Sequence, residues 1–289
     1  MLWIPYALAA SFTITAFGQA NAHFKLPGPL LNIYRGATPV LMMLPFAPLI
    51  DFPTAWQFYA LTAVNGFIVS FSDARIFDAT AKFGNGQVQR LLPLVLILVF
   101  FVWLPLDMDH TAKLLAHPLL TAGIIAALII AWVSLFFMTR TRITLDALYY
   151  VLPVIFATAL IDPVNKLTTR YSHGLSGAAS YTLFVSLWVF VFMLPRLAIG
   201  RIQASNMLSL RTAGYGTIIG VFVIASSLTK NHAMSYAPNP AFVSAIIFCA
   251  GIWATIYARV RGLPDEHNVP AAIVFIFSTI ALMLLARMI

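Results

Sequence analysis

Ten apolar stretches, each close to the ~20 residues that cross a bilayer as a helix, fill almost the whole of this sequence. They run roughly over 2–20, 28–49, 54–74, 84–105, 118–138, 146–164, 176–198, 210–229, 239–259 and 268–288. Their hydropathy lacks the period of two of a membrane barrel, and they are too long for barrel strands. Helices are the remaining solution that leaves no backbone group unpaired in hydrocarbon. Only 9% of the 289 residues are charged, against about a quarter in a soluble domain. The net charge of +8 therefore reads as membrane topology rather than as a nucleic-acid surface. Residues 1–17 lack a basic leader and a convincing cleavage site, which fits a retained first span rather than a signal peptide.

The stretches fall into two sets of five about the polar run Thr139-Arg140-Thr141-Arg142. At a constant offset of 154, Gly66 matches Gly220, Ala79 matches Ala233 and Asn85 matches Asn239. Gly84-Asn85-Gly86 and Pro238-Asn239-Pro240 are then equivalent, each an asparagine between two helix breakers. Met43-Leu44-Pro45 matches Met193-Leu194-Pro195 at an offset of 150. An odd number of crossings inverts the second copy relative to the first. The expected fold is all-α, with ten transmembrane helices in two inverted five-helix repeats, 1–142 and 143–289. Secondary transporters recur in this architecture, with the substrate held between the halves near mid-membrane.

Two sequence stretches resemble a known family. AMSYAPNPAFVSAI, residues 233–246, places an aromatic three residues after an alanine, then a break of small residues and an apolar helix. This is similar to the second-half signature of the drug/metabolite transporter superfamily, in its ten-helix EamA-type branch. Arg35 in LLNIYRGATPVLMMLP resembles the arginine such proteins carry in their second helix. The resemblance implies ten helices in two inverted halves and transport of small organic solutes, without naming the solute. The chain departs from the family at Gln87, Gln89 and Arg90, where relatives start their fourth helix with small residues. Links after odd-numbered stretches carry 10 basic residues and the others, with the C-terminus, carry 5. That count places the odd links in the cytoplasm, whereas the resemblance implies both termini inside.

Charges within spans are costly, on the order of 2.5–3.5 kcal/mol at mid-bilayer, so each must face protein or water. Chain direction puts Arg35, Asp73, Arg75, Asp78, Lys82 and Arg90 toward the odd-link face, and Asp162, Lys166 and Lys230 toward the other. Two mixed-sign clusters on opposite faces suggest two gates, with Asp73, Asp78, Asp162, Lys166 and Lys230 as gating or coupling groups. Snorkelling or fixed ion pairs at helix ends are the plainer alternative. Asp162, before Pro163, is the candidate carrier for coupling to protons, while a fixed pair with Lys166 one turn on is the simpler reading. Arg90 shares a helix face with Gly86 and Pro93, and Gln89 lies beside it, a donor set suited to a carboxylate or phosphate. The breaks at Asn85 and Asn239 expose helix N-termini that favour anions, though Asn239 before Pro240 also suits plain capping. Arg35, Gln19, Asn65, Asn165 and Ser244 complete the candidate substrate-binding set, and Thr13, Thr158, Ser226 and Ser227 are further polar candidates.

No GxxxxGK[ST] loop, HExxH pair or GxSxG elbow is present. The expectation is therefore a non-enzyme without cofactor or metal, a multi-pass protein of the cell (inner) membrane. His110 and His117 share one link with Asp107 and Asp109, read as a solvated surface cluster. Gly123, Ala127 and Ala131 form a small-residue stripe suited to packing within a monomer or between subunits. The reading is a secondary active transporter, exporter or exchanger, of a small polar metabolite bearing a carboxylate or phosphate. The alternatives are a flippase for a phosphate-bearing lipid and a non-transporting membrane subunit.

Overall fold

The computed structural model describes residues 2–24, 28–83, 85–138, 143–198, 209–262 and 268–288. Among these residues every regular element is helical. In chain order the helices are α1 (Trp3–Phe24), α2 (Gly28–Met43), α3 (Trp56–Phe83), α4 (Asn85–Leu91), α5 (Leu94–Trp103), α6 (Met108–Ala116), α7 (Pro118–Met138), α8 (Leu145–Thr168), α9 (Gly174–Ala198), α10 (Leu210–Tyr236), α11 (Pro240–Ile247), α12 (Ala250–Val260) and α13 (Val269–Ala286). Short 3-10 turns follow α2 and α5.

Among the described residues six spans are long and apolar enough to cross a bilayer, 118–138, 145–168, 174–196, 210–236, 240–260 and 269–286, or seven if the bent pair 94–106 and 108–116 is one span. The chain is thus a helical, membrane-type protein. The first half meets that standard less well for visible reasons. Helix α2 has only 16 residues, α3 carries Asp73, Arg75, Asp78 and Lys82, and Pro93 interrupts the ladder between α4 and α5. Helix α6 turns by 105° from the direction of α5, so it lies across the bundle rather than along it.

Local chemistry sets the boundaries. The Thr144 hydroxyl accepts from Ala147 N–H to start α8, and Ser209 does the same from Thr212 N–H for α10. Helix α10 ends at Tyr236, and Asn239 then starts α11 by accepting from Ala241 N–H at 2.9 Å, with Pro240 in the first turn. Gly174 opens α9 at φ 70°, a conformation that side-chain-bearing residues adopt at a cost.

The main packing partners are α1 with α10, α8 with α3, α2 with α9, α7 with α13, α3 with α9 and α10 with α2. Two glycines let α9 pack close to α2 and α3: a Cβ on Gly36 would stand 2.6 Å from the Phe190 backbone nitrogen, and one on Gly66 would stand 2.5 Å from Trp188 Cβ. The small-residue stripe lies inside the monomer, with Gly123 against Leu285 of α13 and Ala127 and Ala131 buried. Outward-facing side chains such as Phe67, Leu119, Phe137 and Phe277 are large and apolar, as a lipid-facing surface requires.

Candidate functional site

Charged and polar side chains from six helices meet in the interior. Arg35 of α2 forms an ion pair with Asp73 of α3. Lys230 of α10 pairs with Asp162 of α8 at 2.5 Å, and the Ser244 hydroxyl of α11 donates to the other Asp162 oxygen. These are the two ion pairs seen among the described residues. The pairs are not insulated from each other. Lys230 also acts electrostatically on Asp73, and Tyr181 of α9 feels both Asp162 and Arg35. Asn65 of α3 donates to the Tyr181 oxygen and, at 3.2 Å, to the Ile161 carbonyl of α8. Two bases and two acids thus form one nearly neutral assembly, which is what lets four charges share a helical interior.

Each ion pair joins charges expected in the same cluster, Arg35 with Asp73 and Lys230 with Asp162. The expected Asp162–Lys166 pair is absent. Lys166 instead donates to the Met234 carbonyl at 2.7 Å, one of the carbonyls that the last turn of α10 leaves without a helical donor. Arg90 has an analogous place. Its Nε donates to the Phe136 carbonyl at 2.8 Å in the last turn of α7, and its guanidinium lies 4.4 Å from the centre of the Phe136 ring. In this conformation it closes a helix end rather than joining the Arg35–Asp73 assembly.

The other predicted residues divide. Asn65, Asn165, Asn239 and Ser244 are buried, and of these Asn239 serves as the α11 cap described above. Gln19 is partly buried on α1, and Asp78 is exposed. The side chains of Asn85 and Gln89 lie outside the described residues. Arg75 and Lys82 rest on aromatic rings, including Tyr150 at 5.8 and 5.4 Å, as helix-end cations commonly do. Thr13 and Ser226 donate to carbonyls of their own helices, and Ser227 instead accepts from Thr182 and Asn231. Tyr34 packs against Gly216. Sequence reasoning missed Tyr181, Thr182 and Asn231. The signal for the first two was the polar run Ser180-Tyr181-Thr182 inside an otherwise apolar stretch.

His110 departs furthest from expectation. It is only 6% exposed, held where α6 folds onto the bundle, with its ring 6.5 Å from that of Phe242. Asp107 caps α6 by accepting from His110 N–H. Burial lowers the imidazole pKa, and the Asp107 carboxylate opposes that shift in part. Among the described residues no group of three or more His, Cys, Asp and Glu side chains is arranged to hold a metal ion.

No family model and no curated protein matches the chain. A solved structure described as "Crystal structure of protein" is similar over 99% of this chain and 96% of that one, with a TM-score of 0.63 at 16% identity. At that identity the likeness is one of fold: nearly the whole chain follows a helical architecture already seen in a crystal.

Proposed function

We propose that this protein is a secondary active transporter, an exporter or exchanger of the cell (inner) membrane, of the kind its sequence resembles. Ten helices in two inverted five-helix repeats would move a small polar metabolite bearing a carboxylate or phosphate by alternating access. The observation that carries this reading is the linked assembly Arg35–Asp73 and Lys230–Asp162–Ser244, partly buried where helices of both halves meet. A substrate carboxylate or phosphate would compete with Asp73 for Arg35, or with Asp162 for Lys230. Exchanging an internal partner for a ligand is how binding acquires different strength in two conformations.

The packing supports the duplication. Let α1, α2, α3, α4–α5 and α7 exchange with α8, α9, α10, α11–α12 and α13. The α1–α10 contact then becomes α8–α3, α3–α9 becomes α10–α2, and α2–α9 and α7–α13 map onto themselves. Single residues follow the same rule. Offsets of 154 and 150 carry the Gly66–Trp188 contact onto that between Gly220 and Thr38, and both glycines lie too close to their partners to accept a Cβ.

The test is counterflow in liposomes of the purified protein, using labelled carboxylates, sugar phosphates and amino acids. At least one acidic solute should exchange saturably, with a loss of 10-fold or more in Arg35→Gln. If no solute exchanges faster than in protein-free vesicles, transport is wrong. Exchange that is unaffected by Arg35→Gln rejects the anion assignment alone.

A further inference from the structure

A narrow crevice lies beside the charged assembly, between the ends of α8 and α10. Its lining includes Asn165, Thr168 and Thr169 of α8 and its cap, Asn231 and Ser235 of α10, and Tyr181 of α9. The space admits about one water-sized sphere, too little for an organic solute.

The hydrogen bonds around it give the crevice a definite polarity. Thr168 Oγ1 donates to the Asn165 carbonyl at 2.6 Å, Thr169 Oγ1 to the Lys166 carbonyl at 2.7 Å and Ser235 Oγ to the His232 carbonyl at 2.8 Å. With each proton committed to the backbone, these hydroxyls keep lone pairs to offer. Asn165 and Asn231 are 2% and 3% exposed, and the side-chain oxygen of each lacks a hydrogen-bond partner. Buried acceptors left unmatched are costly and call for something that receives their lone pairs. The ends of α8 and α10 that reach the crevice are C-terminal, the negative poles of their helices.

Neutral oxygens, negative helix ends and a volume near that of one water are the features of a site for a hard monovalent cation. The lining contains no carboxylate, and Lys166 and Lys230 are sequence neighbours of Asn165 and Asn231. Lys230 is neutralised by Asp162 and Lys166 is directed to the Met234 carbonyl, which leaves a single charge admissible and makes a divalent ion unfavourable. We propose that this crevice binds one Na+ ion through Asn165, Asn231 and the neighbouring hydroxyl oxygens, holding α8 and α10 together at this end of the bundle. The assignment does not depend on transport, because the ion would bind whether or not the protein moves a solute.

The test is thermal unfolding of the purified full chain in detergent, at constant ionic strength, with NaCl titrated against choline chloride and then against KCl. Na+ should raise the Tm saturably, by about 3 °C or more, with less effect from K+ at equal concentration. Asn231→Leu should raise the half-saturating Na+ concentration at least 10-fold. Thr168→Val, which removes one oxygen with little change of shape, should raise it in the same direction and serves if Asn231→Leu does not fold. Identical melting in NaCl, KCl and choline chloride overturns the proposal and makes this a hydrated crevice. Equal effects of Na+ and K+ overturn the sodium assignment.

Discussion

Asp162 is the residue on which most interior contacts converge, since it accepts from Ser244 and neutralises Lys230. Replacing it with Asn would leave the Lys230 ammonium without its counter-charge. A fixed charge stranded in this way costs roughly 3 kcal/mol or more, while removing both charges together costs much less. Thermal melts in detergent should therefore show a large drop in Tm for Asp162→Asn and substantial recovery in the double variant Asp162→Asn/Lys230→Met. Equal losses in the single and double variants would mean the pair contributes nothing as a pair. Sequence reading found Asp162 and Lys230 as charges out of place in apolar stretches. Their pairing was not legible, because Lys166 lies one turn from Asp162 on the same helix whereas Lys230 is 68 positions away. The side-chain direction of Lys166, toward the open carbonyls of α10, decided the matter.

At the scale of helices, glycine contacts and the placement of α6 give separate expectations. Gly36→Ala would place a Cβ 2.6 Å from the Phe190 backbone nitrogen, whereas the same change at Gly18 meets nothing within 4 Å. The first should destabilise by about 1–3 kcal/mol through forced separation of α2 and α9. The second should be neutral or slightly stabilising, and melting curves of the two variants compare them directly. Helix α6 carries the pH dependence. His110 is buried near Asp107, Lys113 and Lys166, and its pKa in the folded state lies below the ordinary 6.5. The unfolded or undocked state then binds the proton more readily, so the docked state is at full strength above about pH 6.5 and loses stability as the pH falls below it. Hydrogen exchange across 108–116 should quicken on acidification, and His110→Leu should remove that trend. The sequence placed His110 in a link and predicted solvent around it. Only the 105° turn after α5 brings its ring onto the bundle, and that turn depends on contacts distant in sequence.

For the whole molecule, the proposed even number of crossings puts both termini on one side of the membrane. Cysteines introduced at residues 2 and 288, in a background with Cys249 replaced, should react together with an impermeant maleimide, from one side only. Labelling from opposite sides would remove the ten-helix arrangement and the inverted duplication with it. The amino-acid sequence by itself determined that this protein is helical and suited to a bilayer, because long apolar runs leave the backbone no other way to satisfy its hydrogen bonds. It also carried the 150- and 154-residue offsets, which are local identities. Tertiary structure alone decided that Arg35 meets Asp73, that Lys230 meets Asp162, and that Arg90 and Lys166 turn to open helix ends. A charge excluded from lipid must find a partner, and composition states that need without saying which of several distant groups will come within reach.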